Sequence, residues 1–293
     1  MTGAPFRQWT FSEKNSRMLD GILRETETDM EKSALFFDID GTLLSEKTRE
    51  IPESAIRALH MANKAGHLLF INTGRTICSV PAEIRRLPFD GFLCGCGTHL
   101  FFHDEELLAK SLSRKRGRAI IDKVFECNLG GIAEGPEDVY FPSRISRFDK
   151  LESSRRYFRE KGMGIECPIE RDVFIYDKLF VYADGQSDLK SFLDFIEGQD
   201  MEALDRGGNA YEVVQKGYSK ATACEFMLDR LGMTKEQAYV FGDSSNDLAM
   251  FEFAIHAIAM GEHDPVLDPY TEFVTKEVED DGIAYAMERY GLI

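Results

Sequence analysis

Short apolar runs alternate with amphipathic segments towards both ends of the chain. Ala34–Asp40 is an apolar run that ends in acids, and His67–Asn72 is a second apolar run; both are typical of strands buried in a parallel sheet. Between them, Pro52 opens a segment with apolar residues at helical spacing, and Gly66 marks its end. The later predicted elements are a helix over Lys220–Leu231, a strand over Ala238–Phe241, a helix from Asn246 and a strand over Ala254–Ala259. This alternation predicts an α/β fold with a doubly wound parallel sheet.

The middle of the chain has a different pattern, with more charge and frequent glycine. Its predicted elements are strands over Val173–Tyr176 and Leu179–Tyr182 and helices over Arg116–Glu126 and Leu189–Glu197. We therefore interpret residues 34–112 and 209–293 as a Rossmann-like core, and residues 113–208 as an α+β domain inserted into it. Residues 1–33 are interpreted as an N-terminal extension with a helix around Asn15–Glu31.

Composition and charge narrow the range of partners. There are 35 Lys and Arg against 51 Asp and Glu, which gives a net charge of −16. This acidity argues against binding to nucleic acid or to anionic membranes, because both attract basic surfaces. It leaves a small anionic substrate open, because such a ligand meets only a local field. No transmembrane or signal segment is visible and the six cysteines are scattered, so we expect a cytoplasmic protein. The oligomeric state is not predicted.

The first chemically informative motif is Asp38-Ile39-Asp40-Gly41-Thr42, directly after the first predicted strand. Neighbouring carboxylates are unfavourable unless a cation neutralises them. A turn at Gly41 can bring both acids to one site, where one serves as nucleophile and metal ligand and the other as general acid and base. The alternative interpretation is a surface turn, because Asp and Gly favour turns.

Two further clusters suit a phosphate group. Asn72-Thr73-Gly74-Arg75 follows the second predicted strand, where a hydroxyl and backbone N–H groups can bind phosphate oxygens. Lys216 and Lys220 flank the start of a predicted helix; a lysine there opposes the helix dipole and indicates a nearby anion. An ordinary loop and solvated lysines remain the alternatives.

The last cluster is Gly242-Asp243-Ser244-Ser245-Asn246-Asp247. Two acids four residues apart across a loop-to-helix turn can bind one cation, and oxygen ligands suit Mg²⁺. Helix capping by Asp243 or the serines is the alternative. Because the carboxyl ends of parallel strands meet at one sheet edge, Asp38, Thr73 and Asp243 are predicted to converge there.

These motifs, in this order, resemble the haloacid dehalogenase-like hydrolases, and specifically the Cof-type phosphatases of subfamily IIB with a large C2 cap. The resemblance covers about residues 34–112 and 209–293; the inserted domain matches the cap in size and position only. It implies that Asp38 is the nucleophile, that Asp40 is the general acid and base, and that Lys220, rather than Lys216, neutralises the phosphate.

The resemblance also implies ligands for phosphate and metal. Thr73 would hydrogen-bond the phosphoryl group, with Asn72, Gly74, Arg75 and Asn246 as further phosphate- or substrate-binding residues. Mg²⁺ would be held by Asp38, the Asp40 carbonyl and Asp243, with Asp247 in support.

The expected function is a Mg²⁺-dependent phosphatase that acts on a small phosphorylated metabolite through an aspartyl-phosphate. A mutase of the phosphomannomutase type and a non-catalytic phospho-acceptor module are the alternatives. The basic stretch over Phe141–Lys161 is interpreted as a solvated helix face; attraction of substrate by Arg144 and Arg147 is the competing interpretation.

Overall fold

The computed structural model describes residues 32–103, 105–171 and 173–293. The helix predicted around Asn15–Glu31 lies outside these residues. The strands are β1 Ala34–Phe37, β2 Leu68–Asn72, β3 Gly91–Cys94, β4 His99–Phe102, β5 Glu105–Ala109, β6 Gly130–Glu134, β7 Val139–Tyr140, β8 Lys178–Tyr182, β9 Met201–Asp205, β10 Ala210–Gln215, β11 Ala238–Gly242, β12 His256–Ala259 and β13 Phe273–Val274. The α-helices are α1 Glu53–Ala65, α2 Arg114–Glu126, α3 Asp149–Glu160, α4 Leu189–Glu197, α5 Lys220–Leu231, α6 Leu248–Phe253 and α7 Gly282–Arg289.

The apolar runs at the two ends of the chain form one eight-stranded sheet, the core sheet. Its order is β13-β12-β11-β1-β2-β3-β4-β5, and the pairs from β13 to β3 are parallel. Strands β4 and β5 add an antiparallel edge. The predicted doubly wound parallel α/β core is therefore confirmed.

Helices cover both faces of the core sheet because its central strands are apolar on both sides. Leu35 and Phe37 of β1 pack with α1 and α7, whereas Ala34 and Phe36 pack with α5 and α6. Phe37 stacks on Phe241 of the neighbouring strand at 4.6 Å between ring centroids. Burial of this kind contributes about 2 kcal/mol for each large apolar side chain. The result is a sheet packed on both faces, whose strand ends can position polar groups.

A second sheet, the cap sheet, is antiparallel and has the order β7-β6-β8-β10-β9. Buried residues of α2 and α4 pack on one of its faces, and residues of α3 form a smaller cluster with Ile132 and Tyr182. The boundary between the inserted domain and the core was predicted at residue 209, but β10, which follows that residue, belongs to the cap sheet. Strand β10 pairs with both β8 and β9, so the chain returns to the core only after Gln215.

Two local predictions, one in the inserted domain and one in the core, were also inaccurate. No strand forms over Val173–Tyr176, where only Tyr176 makes an isolated bridge, with Leu112. The apolar residues of this segment wrongly indicated a buried strand, because Val173 and Ile175 are exposed and do not pack on the cap sheet. In the core, the helix predicted from Asn246 begins as a 3-10 turn over Ser245–Asp247 and continues as α6.

None of the helices in the described ranges is both long enough and apolar enough to cross a membrane.

Candidate active site

A buried ion pair joins the ends of β1 and α5. Asp38 immediately follows β1 and is 3% exposed. Lys220 is the first residue of α5, and its Nζ lies 2.7 Å from Asp38 Oδ1 and 2.6 Å from Asp247 Oδ1. Burial opposes the charge on Lys220, but Asp247 and Asp38 outweigh it and raise the pKa of the lysine. The two carboxylates therefore compensate for a lysine that opposes the helix dipole.

Asp38, Asp243 and Asp247 form the carboxylate cluster, whose ligand atoms lie within 4.8 Å of one another. Burial, together with repulsion from Asp247, raises the pKa of Asp38 to about 7 although Lys220 opposes the shift. Burial and the charges of Asp38 and Asp247 raise the pKa of Asp243 to about 8. Three carboxylates against one ammonium leave an excess of negative charge, so the cluster fits a hard divalent cation.

Local backbone geometry holds the cluster together. Asp247 is fully buried, and its Oδ2 accepts hydrogen bonds from the N–H groups of Asp243 and Ser244 at 3.0 and 3.1 Å. Gly242 permits this turn because a Cβ there would approach Asp247 Cγ to 2.6 Å. Thr42 Oγ1 donates to Asp243 Oδ1 at 2.8 Å. Thr42 is a site residue to which sequence reasoning gave no role, although it belongs to the Asp-Ile-Asp-Gly-Thr motif.

Asp40 lies outside the carboxylate cluster and is paired with Arg75. Arg75 Nε and Nη2 donate to the two carboxylate oxygens of Asp40 at 2.6 Å each. Although burial opposes the charge, this pairing raises the pKa of the Arg75 guanidinium. The structure thus gives Arg75 a different partner from the predicted phosphate. The predicted metal contact of Asp40, through its carbonyl, stays a prediction.

The remaining phosphate-site predictions have different outcomes. Thr73 and Gly74 line the cleft beside Asp38, with Thr73 1% exposed. Asn72 does not reach the cleft, because its Nδ2 donates to the Lys220 carbonyl at 2.9 Å and to Cys224 Sγ at 3.1 Å. The two-residue period of β2 places Asn72 on the same sheet face as Phe70, towards α5. Asn72 therefore links β2 to α5 and does not contact a group bound in the cleft.

The structure distinguishes the two candidate lysines by their contacts with Asn246 and with the cleft. Asn246 Oδ1 accepts from Lys220 Nζ at 3.2 Å and from Ser244 Oγ at 3.0 Å, and the residue lines the cleft. Lys216 is exposed and does not line the cleft. Of the two lysines, only Lys220 can act on a group bound at Asp38.

The cleft is a cavity of about 630 Å³ between the carboxyl edge of the core sheet and the cap, a name used here for the cap sheet together with helices α2, α3 and α4. The cap contributes its wall: Ile132, Glu134, Ser154, Tyr157, Phe158, Lys178, Phe180, Tyr182, Arg206 and Glu212. The sequence did not indicate these residues, because charged residues in a charge-rich domain are usually surface residues and aromatic residues are usually core residues. Arg144 and Arg147 do not line the cleft, and Arg147 pairs with Asp184 instead.

A buried ionic group lies on the cap wall. Lys178 Nζ is 2.5 Å from Glu212 Oε1 and 3.6 Å from Glu134 Oε2, and Arg206 Nη2 is 2.5 Å from Glu212 Oε2. Burial opposes ionisation of Glu212, but Lys178 and Arg206 outweigh it and lower its pKa to about 2. Burial raises the pKa of Glu134, which Lys178 only partly offsets. This part of the wall thus places two cations and two carboxylates in contact with one another.

Comparison with known proteins places the chain in a family. The model of the haloacid dehalogenase-like hydrolases matches residues 35–287. The chain belongs to this family. The structure of BT4131, a sugar phosphatase of haloacid dehalogenase subclass IIB, has the same fold, with a TM-score of 0.74 over 89% of this chain and 100% of the other at 24% identity.

Two curated relatives of this haloacid dehalogenase-like hydrolase carry phosphatase names. The Bacillus subtilis protein YwtE, named 5-amino-6-(5-phospho-D-ribitylamino)uracil phosphatase, is 26% identical over 280 residues, covering 86% of this chain and 96% of YwtE. A Streptococcus pyogenes protein, named as a bifunctional phosphatase and peptidyl-prolyl cis-trans isomerase, is 29% identical over 280 residues. The match covers 88% of this chain but only 54% of that relative. The family and these relatives identify the chain as a hydrolase of the phosphatase type.

Proposed function

We propose that this hydrolase removes the phosphoryl group from a small phosphate monoester, such as a sugar phosphate, through an aspartyl-phosphate on Asp38 and with Mg²⁺ as cofactor. The observation that carries the proposal is the buried Asp38–Lys220 pair at the base of a cleft that Asp40 also lines. It supplies a fixed carboxylate nucleophile, a cation for the phosphoryl oxygens and a separate carboxyl group for proton transfer.

In the first half-reaction, an Asp38 oxygen attacks phosphorus and the bond from phosphorus to the ester oxygen breaks. Asp40 donates a proton to that oxygen, so the leaving group departs as an alcohol. In the second half-reaction, Asp40 takes a proton from water as the water oxygen attacks phosphorus, which releases inorganic phosphate and regenerates Asp38. Lys220 and the Thr73 hydroxyl stabilise the charge on the phosphoryl oxygens throughout.

The carboxylate cluster is the proposed magnesium site. Its three carboxylates supply the oxygen donors that Mg²⁺ prefers. Burial and the neighbouring carboxylates raise the pKa of Asp38 and of Asp243, so a bound cation would relieve unfavourable charge at both groups. When bound, Mg²⁺ would neutralise charge on the carboxylates and on the phosphoryl oxygens.

The substrate class is supported by the cleft. A volume of about 630 Å³ leaves room for a leaving group well beyond the phosphate. The cap wall offers carboxylates, cations and aromatic rings, which suit hydroxyl groups and a flat or sugar-like ring. The phosphoribityl compound in the name of YwtE and the sugar phosphates of BT4131 are consistent with such a leaving group.

A phosphate-release screen tests the proposal. Sugar phosphates, nucleotides, pyridoxal phosphate and flavin mononucleotide are incubated with the purified protein, with Mg²⁺ and with EDTA. We expect Mg²⁺-dependent release of phosphate from at least one sugar-like ester. Faster exchange of a sugar 1-phosphate with its 6-phosphate than release of free phosphate would instead identify a mutase.

The metal-free protein is expected to lose stability as the pH rises from about 6 to about 9. Folding raises the pKa of Asp38 to about 7 and of Asp243 to about 8, from an ordinary 3.8. The folded state therefore holds more protons than the unfolded state in this range, and the stability that these protons contribute is lost on deprotonation. We expect a loss of up to about 4 kcal/mol, measured by thermal unfolding in EDTA.

Addition of Mg²⁺ is expected to raise the unfolding temperature and to flatten this pH dependence, because bound cation replaces bound protons. Asp243→Asn serves as the matched variant and should show a smaller shift with Mg²⁺. Stability that rises with pH in EDTA, or an unfolding temperature that does not respond to Mg²⁺, would contradict the assignment.

A further inference from the structure

A tyrosine of the cap reaches across the cleft to the arginine that holds Asp40. Tyr157 lies on α3, and its hydroxyl accepts a hydrogen bond from Arg75 Nη2 at 3.4 Å. The same Nη2 donates to Asp40 Oδ1 at 2.6 Å. The cap and the proposed acid and base are thus two hydrogen bonds apart.

The guanidinium of Arg75 is fixed from three directions. Nε and Nη2 grip the two oxygens of Asp40, and Nη1 donates to the Ser79 carbonyl at 3.0 Å. Tyr157 provides the contact on the cap side. The Arg75 side chain is 16% exposed and that of Asp40 34%, so the orientation of the more exposed carboxyl depends on the better-buried guanidinium. A planar, forked donor of this kind fixes both position and rotation of a carboxylate.

We propose that Arg75 and Tyr157 are positioning residues that couple closure of the cap to the alignment of Asp40. The inference rests on the proposed function, because it concerns the group that protonates the leaving oxygen. With α3 over the cleft, Tyr157 completes the set of partners around Arg75 and the carboxyl of Asp40 is held in one orientation. Without that contact, the guanidinium keeps only its partners in the core, and Asp40 samples orientations that cannot deliver a proton.

The chemistry of the leaving group separates this role from a merely structural one. A sugar alcohol is a poor leaving group and needs the proton from Asp40, whereas p-nitrophenolate departs readily without one. The ratio kcat/KM reports the steps up to departure of the leaving group. Misalignment of Asp40 therefore lowers kcat/KM for the sugar phosphate and leaves that for p-nitrophenyl phosphate nearly unchanged.

The test compares the wild-type protein with Tyr157→Phe on both substrates, using the sugar phosphate that gives the highest activity in the screen. Phenylalanine keeps the ring that packs beside Phe158 and removes only the hydroxyl. We expect kcat/KM for the sugar phosphate to fall about 5- to 10-fold, a part of the total contribution of general acid catalysis. For p-nitrophenyl phosphate we expect less than about a 2-fold change. Inhibition by inorganic phosphate should not weaken.

Two further variants locate the effect. Tyr211→Phe removes a hydroxyl from β10 of the cap sheet, at a residue that does not line the cleft, and should leave the ratio between the two substrates unchanged. Arg75→Lys keeps the charge but loses the fork. If Tyr157 acts through Arg75, adding Tyr157→Phe to Arg75→Lys should have little further effect on the ratio.

Each contrary result has a distinct meaning. Equal losses on both substrates, or an unchanged ratio in Tyr157→Phe, would overturn the coupling while leaving the phosphatase proposal intact. Weaker inhibition by phosphate in Tyr157→Phe would also overturn it, because the hydroxyl would then be a phosphate ligand. Absence of phosphatase activity in the wild-type protein would overturn the proposed function itself.

Discussion

Replacing Asp38 with asparagine is expected to lower kcat by about 10³-fold or more, because the variant has no carboxylate that can form the aspartyl-phosphate. The amide is nearly isosteric, and Lys220 keeps its second partner, Asp247, at 2.6 Å. The loss therefore reports the chemistry and not a collapsed site. The measurement is the rate of phosphate release from one phosphate ester at saturating concentration. Trapping of a phosphorylated protein is the direct readout.

The same substitution should leave the metal-free protein at least as stable as the wild type. Asp38 is one of three carboxylates in the cluster, and its raised pKa shows that its charge is unfavourable there. Removing that charge relieves repulsion of Asp243 and Asp247. Asp229→Asn is the matched control, because Asp229 is exposed on α5 and does not line the cleft. Activity close to that of the wild type in Asp38→Asn would refute the nucleophile assignment.

The positions of Asp38, Thr73 and Asp243 were predictable because they depend on one simple rule. Each follows a strand, and β11, β1 and β2 are parallel neighbours in the core sheet, so their carboxyl ends meet at one edge. The apolar runs are short, but each has a glycine near one end (Gly41, Gly66 and Gly242), and they located the strands to within a few residues. Local pattern alone was therefore sufficient to bring three distant segments of sequence together.

The directions of side chains were less predictable. Asn72 and Thr73 are adjacent, yet Asn72 turns towards α5 and Thr73 towards the cleft, and only the register of β2 decides between them. Arg75 has a carboxylate partner 35 residues away that no spacing rule identifies. The residues of the cap wall could not be predicted for a related reason. Lys178, Glu212 and Arg206 are charged residues that are usually exposed, and only their pairing across neighbouring strands shows that Lys178 and Glu212 are buried.

Lys220→Met is expected to have the largest effect on stability among single substitutions in the site. The Lys220 side chain is fully buried and is the cation between Asp38 and Asp247. Methionine fills similar space but leaves the carboxylates without a counter-charge. Breaking a buried ion pair in this way costs about 3 to 5 kcal/mol, which should be visible as a large fall in the chemical-denaturation midpoint.

The size of this loss should depend on pH and on the acids that remain. Protonation of the unpaired carboxylates relieves their repulsion, so the defect should be smaller at about pH 6 than at about pH 9. Combining Lys220→Met with Asp247→Asn removes one of the two carboxylates left without a counter-charge. The double variant should therefore recover part of the free energy of unfolding that Lys220→Met loses.

Lys216→Met separates the ion pair from a general effect of losing a lysine in this segment. Lys216 is exposed and four residues from Lys220, so its substitution should change stability by no more than about 0.5 kcal/mol and leave turnover close to that of the wild type. Equal defects in the two lysine variants would mean that the Asp38–Lys220–Asp247 contact does not stabilise the site. A stable but inactive Lys220→Met protein would instead show that this lysine serves catalysis alone, with the carboxylates neutralised by protons or by metal.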